Sequence, residues 1–141
     1  MYKNRLNALI NFSKFNSLFR QEFDDKGRQH FLYNKQLPNE PFFTVNASVQ
    51  YRFDHFIQKK SIFNLYYNTG YVAPFSTVWI DSDNWFETPT QFYHDLGGSY
   101  RTPNGKVVVS VDFKNFLNAE VYDNFGVQKP GRAIYLKLNY V

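Results

Sequence analysis

Residues 43–53 leave few folds open. Phe43, Val45, Ala47, Val49, Tyr51 and Phe53 take every second position, and Thr44, Asn46, Ser48, Gln50 and Arg52 fill the places between. Successive side chains of a strand point to opposite faces, so this stretch predicts a strand with one apolar and one wet face. No part of the chain sustains a helical period, but period two recurs. In 62–72, Phe63, Leu65, Tyr67 and Tyr71 oppose Asn64, Tyr66, Asn68 and Gly70. In 91–101, Phe92, Leu96 and Tyr100 oppose Tyr93, Asp95, Ser99 and Arg101. In 106–114, Val107, Val109, Val111 and Phe113 oppose Val108, Ser110, Asp112 and Lys114. In 132–140, Ile134, Leu136, Leu138 and Tyr140 oppose Tyr135, Lys137 and Asn139. Near the start, Leu6, Ala8, Ile10 and Phe12 oppose Asn7, Asn11 and Ser13, with Leu9 breaking the pattern. Six strands follow, each close to the ~9–11 residues that cross a bilayer when tilted.

The connections alternate in length. Asp54–Lys60 and Thr102–Gly105 are short; Asn16–Pro41, Pro74–Pro89 and Asn115–Pro130 are long. Short turns at one end and long loops at the other are the pattern of an up-and-down transmembrane barrel, whose short turns lie in the periplasm. At Thr102–Gly105 a three-residue loop would set Leu96 opposite Asp112 and mix the faces. A two- or four-residue loop is therefore expected, because a one-residue slip moves every side chain to the wrong face.

Composition supports a two-sided sheet. Aromatic residues make up 21% of the 141-residue chain, yet mean hydropathy is −0.51. A compact soluble core would draw more on Leu, Ile and Val. There is no cysteine, which excludes disulfide scaffolds and thiolate metal sites. The net charge of +4 comes from Lys and Arg scattered along the chain, so no nucleic-acid partner is expected. No apolar run approaches the ~20 residues of a membrane helix.

The expected fold is thus all-β: an antiparallel up-and-down barrel segment of about six strands. Phe43, Val45, Val49, Val107, Val109, Val111, Phe113, Ile134, Leu136, Leu138 and Tyr140 are expected to face lipid. Arg52, Asp95, Arg101, Asp112, Lys114 and Lys137 are expected to face the lumen. Phe53, Tyr71, Phe92, Tyr100, Phe113 and Tyr140 stand near strand ends, as an aromatic girdle would. Six strands are fewer than the about eight that close the smallest barrels, and open edges are not tolerated in lipid. The N-terminal stretch MYKNRLNALINFSKF also lacks an apolar signal-peptide core. A longer parent protein is therefore expected upstream.

Three stretches carry a family resemblance. Gln36-Leu37-Pro38-Asn39-Glu40-Pro41 leads into FFTVNASVQYRF; FNLYYNTGYV forms the next strand; and HDLGGSYRTPNGKVVVSVDFKNFLNAEVYDNFGVQKPGRAIYLKLNYV closes the chain. Over roughly residues 30–141 this resembles the C-terminal barrel of TonB-dependent outer-membrane receptors, particularly those of Bacteroidetes-type bacteria. Barrels of that kind usually end on an aromatic residue. Here Val141 stands last, after Ile134, Leu136, Leu138 and Tyr140 at alternate positions. The resemblance implies a 22-stranded barrel in the outer membrane of a Gram-negative cell, plugged by an N-terminal domain that engages the TonB energy-transducing complex. It implies import of iron–siderophore complexes, cobalamin, haem or glycans. The implied partners are outer-membrane lipid, the remainder of the barrel and plug, TonB, and a small-molecule or glycan substrate.

Constellations that would carry chemistry do not assemble. Asp81-Ser82-Asp83-Asn84 begins like a calcium loop, but Phe86 and Phe92 stand where Gly and Glu are needed. His94 and Asp95 are strand neighbours and point apart, so they make no triad with Ser99. We expect no catalytic residue, no metal site and no cofactor. The long-loop tips are the candidate ligand contacts: Trp79, Asp81, Asp83, Trp85 and Phe86 in one, and Tyr122, Asp123 and Phe125 in another. Aromatic rings beside acids suit stacking on a sugar or an aromatic chelator. Two further readings stay open: a non-transport outer-membrane barrel or adhesin, and a soluble carbohydrate-binding β-sandwich. The sandwich requires Phe43, Val45, Val49, Val107, Val109 and Val111 to meet in one interior core.

Overall fold

In the computed structural model, residues 5–78 and 87–140 are described. Six long strands form one antiparallel sheet: β1 (Leu6–Lys14), β2 (Phe43–Asp54), β3 (Ile62–Val72), β6 (Gln91–Arg101), β7 (Val107–Lys114) and β8 (Ala133–Tyr140), neighbours in that order. A two-residue pair, β4 (Phe75–Ser76) with β5 (Glu87–Thr88), sits inside the third connection. The strands coincide with the alternating stretches because each pairing keeps like faces together.

Val45 lies opposite Tyr71, Val49 opposite Tyr67, and Phe53 opposite Phe63. Tyr71 in turn meets Phe92, and Phe63 meets Tyr100. Tyr100 meets Val109 and Val111 meets Leu136. The apolar face is therefore continuous from Leu6 on β1 to Tyr140 on β8. Ring contacts tie it across strands, with Phe53 and Phe63 at 5.9 Å and Tyr71 and Phe92 at 6.5 Å. Each such pair contributes ~0.2–1 kcal/mol. Arg52, Asp95, Arg101, Asp112, Lys114 and Lys137 all share the opposite face.

Arg101 pairs with Val108, and the Thr102 N–H donates to the Val107 carbonyl at 3.0 Å. The connection is thus the four-residue loop, and Leu96 faces Phe113 rather than Asp112.

Little of this sheet is buried. Among the described residues the buried hydrophobic side chains are Leu32, Phe75 and Val121, all in the long connections. On the apolar face Ile134, Leu136 and Leu138 are more than 60% exposed. No second sheet covers it: the only other sheet among the described residues is the β4–β5 pair. β1 and β8 are the two edges, and no pairing joins them among the described residues. Among the described residues no helix is long and apolar enough to cross a membrane, which says nothing of crossing by strands.

Candidate functional site

The up-and-down order sends all three long connections to one end of the sheet, with the two short turns at the other. Trp79, Asp81, Asp83, Trp85 and Phe86 lie outside the described residues. The rest of the long-loop end is built from turns that satisfy their own backbone.

Two of these turns are the same motif. Phe23-Asp24-Asp25-Lys26-Gly27-Arg28-Gln29 and Tyr122-Asp123-Asn124-Phe125-Gly126-Val127-Gln128 share the pattern aromatic-Asp-x-x-Gly-x-Gln. Asp24 Oδ1 accepts the N–H groups of Lys26 and Arg28, and Asp123 Oδ1 accepts those of Phe125 and Val127, all at 2.8–2.9 Å. Gly27 and Gly126 donate back to the Asp24 and Asp123 carbonyls. Both glycines have φ near +74°, a region that costs other residues strain. Isolated bridges, Phe23–Gln29 and Tyr122–Gln128, close the two hairpins. The main-chain N–H of Arg28, then its guanidinium, hold the Asp24 carboxyl below the usual carboxylate range. The Tyr122 hydroxyl donates a hydrogen bond to Glu120 Oε2 at 3.2 Å, which raises the phenol's pKa. Phe125 projects from its tip 78% exposed, and Phe31 of the first connection is 75% exposed.

Asn39 ties the three connections together. Its N–H donates to the Ser76 carbonyl at 2.8 Å, and its side-chain amide, in the orientation that turns the nitrogen towards them, donates to the carbonyls of Thr77 (3.3 Å) and Asn124 (2.6 Å). Gly126 packs against Thr77 so closely that a Cβ there would lie 3.0 Å from the Thr77 methyl. Below them Gln91, 1% exposed, accepts the Tyr122 N–H through Oε1 at 2.8 Å, while its Nε2 has no protein partner. Tyr122, Asp123 and Phe125 therefore sit on a braced hairpin.

The polar face beneath the loops is a network of amides, hydroxyls and paired charges. Lys114 Nζ meets Asp95 Oδ2 at 2.9 Å, and the Asn115 N–H donates to the other Asp95 oxygen at 2.8 Å. The Tyr66 hydroxyl donates to Asp112 across β6. The rings of Tyr66 and Tyr93 lie flat over Gly97 and Gly70, where any Cβ would overlap them. A hollow of about 240 Å³ opens on this face, lined in part by Leu9, Asn11, Asn46, Ser48, Asn68 and Tyr93. Asn11, Asn46 and Asn68 stand there among apolar groups and the Asp95 carboxylate, and their amides can hydrogen-bond a polar ligand in both directions.

His94 stands on the apolar face near the long-loop end, 8% exposed, with Nδ1 2.5 Å from the Tyr67 hydroxyl and its ring edge-on to Phe92. That contact satisfies a polar group on an otherwise apolar surface. Among the described residues no three His, Cys, Asp or Glu side chains gather as a metal site would require.

Asn39 and the paired turns lie outside the alternating stretches, and Gln91 stands within one but carries no mark of its contact with Tyr122. The repeated aromatic-Asp-x-x-Gly-x-Gln pattern was the available signal. No protein-family model matches the chain, and no curated protein or solved structure matches it either.

Proposed function

We propose that this chain is part of the wall of an outer-membrane β-barrel, the C-terminal portion of a TonB-dependent receptor. One observation carries the reading: a six-stranded sheet whose continuous apolar face is uncovered and whose two edge strands are unpaired among the described residues. In water an uncovered face of this extent is unfavourable by roughly 25 cal/mol per Å² of apolar surface left unburied. In a bilayer the same face contacts acyl chains, and the edges pair with the strands that complete the barrel.

The polar face then lines the lumen, with Arg52, Asp95, Arg101, Asp112, Lys114 and Lys137 on its wall. The braced hairpin of Tyr122, Asp123 and Phe125 stands at the outer mouth, where an incoming iron–siderophore complex, cobalamin, haem or glycan first meets protein. The chain contributes binding surface and wall; energy would enter through the plug and TonB, and no catalytic step falls to these residues.

The reading frame upstream of Met1 tests this. Continuation in frame through further alternating strands to a plug and a signal peptide supports it. A stop codon and ribosome-binding site directly before Met1 would withdraw transport.

A further inference from the structure

Lys and Arg are scattered in the sequence, but the fold collects a group of them. Arg5, Arg52, Lys59, Lys60, Arg101 and Lys106 all lie at the short-turn end, where the one carboxylate among the described residues is Asp54. Asp54 pairs with Arg5 (3.5 Å) and Arg52 (2.8 Å). Lys59, Lys60 and Lys106 are exposed and form no ion pair among the described residues. At the long-loop end the two signs come close to balance. The sheet therefore has one basic rim.

The β2–β3 turn at that rim is locked open. Ser61, fully buried, donates its hydroxyl to the Gln58 carbonyl at 2.7 Å and accepts the Gln58 N–H at 3.2 Å. His55 Nδ1 accepts the Lys60 N–H at 2.8 Å, and both residues hold positive φ. So fixed, the turn leaves Phe56 51% and Ile57 68% exposed beside Lys59 and Lys60. Phe56 stacks on Phe63 at 4.7 Å and approaches Phe53 at 5.7 Å, which extends the apolar face past the strand ends.

We propose that this rim is an anchor for anionic phospholipid headgroups. Phe56 and Ile57 enter the headgroup–acyl boundary, and Lys59 and Lys60, with Lys106 on the neighbouring turn, meet lipid phosphates. Basic residues set beside exposed apolar ones is the pattern of interfacial anchoring. Exposed apolar side chains beside lysines unpaired among the described residues fit an anionic bilayer surface, which offers both phosphate and acyl chain. The inference rests on the barrel reading for the contact of the apolar face with lipid, and it adds a composition-dependent contact at the short-turn end.

The test uses the full chain and flotation with vesicles of phosphatidylcholine alone or with phosphatidylglycerol. At about 1 kcal/mol per basic side chain near an anionic surface, Lys59→Gln/Lys60→Gln should weaken partition to anionic vesicles about thirty-fold and leave partition to neutral ones unchanged. Both positions are exposed, and circular dichroism verifies that the strands persist. Equal binding of variant and parent to anionic vesicles would overturn the anchor. So would an equal loss in Lys26→Gln/Lys129→Gln at the far end, or a lysine-dependent affinity for a single-stranded oligonucleotide without vesicle binding. A fluorophore at Val111→Cys, midway along β7, read against lipids brominated deep in the acyl chain, reports separately on the barrel reading. Its failure with the lysine effect intact would reject spanning but keep the anchor.

Discussion

Replacing Gly97 by Ala adds one methyl group, and the structure assigns its cost to one hydrogen-bonded pair, Tyr66 and Asp112. The new Cβ would overlap the Tyr66 ring and approach Asp112 Oδ1 to 2.6 Å. Tyr66 must then swing off the sheet and give up its hydrogen bond to Asp112. Loss of a hydrogen bond to a charged group costs about 1.5–3 kcal/mol, and a displaced rotamer adds about 0.5–1.5 kcal/mol. Exchanging Gly for Ala in a strand returns about 0.5–1 kcal/mol. The expected net destabilisation is about 1–4 kcal/mol, read as a lower urea midpoint under one fixed solvent condition. A double-mutant cycle isolates the cause. In a Tyr66→Ala background the same glycine substitution should be neutral or stabilising. Removing Tyr66 also frees the Asp112 carboxylate to turn away, so an equal cost in both backgrounds would refute the assignment to this pair.

Further outcomes follow from the loops and the apolar face. Asn39→Ala should raise proteolytic nicking of all three long connections together while the strand signal in circular dichroism persists; nicking of the first connection alone would contradict its bracing role. Asp24 has a folded pKa below its unfolded value, so its contribution is present above the unfolded value and is lost as pH falls through the folded one. Amide exchange at residues 24–28, corrected for intrinsic rates, should rise as the pH drops from about 5 towards 2; Asp24→Ala should show that faster exchange already at neutral pH. Val111→Lys sets a cation opposite Leu136, midway along the apolar face of β7. If that face meets lipid, the substitution should cost about 2–4 kcal/mol at mid-bilayer depth, read as lost insertion into vesicles.

The strands were legible in the sequence because each obeys period two and every pairing preserves it. The six alternating stretches appear in the sheet, one of the two expected loop lengths is found with its four residues at 103–106 rather than 102–105, and the faces separate as Phe43 to Phe53 require. The long connections were not legible in the same way. Their order comes from individual polar groups, such as Asn39 reaching two other loops and Gln91 accepting the Tyr122 N–H, and these contacts span distances no local pattern encodes. The β4–β5 pair escaped for the same reason: two residues are too short to alternate. The basic rim was hidden in a different sense. Arg5, Arg52, Lys60 and Lys106 are far apart in the chain, and only the up-and-down order gathers them at one end.

The central claim is that the two faces of the sheet meet different solvents. Single cysteines placed in turn at positions 107 to 113 of β7, in a chain with no native cysteine, allow a direct scan with a fluorescent label in vesicles. The account predicts period two: quenching by brominated acyl chains at Val107, Val109, Val111 and Phe113, and by a water-soluble quencher at Val108, Ser110 and Asp112. Equal access of the water-soluble quencher to both sets would contradict it and return the apolar face to an aqueous or protein-covered setting.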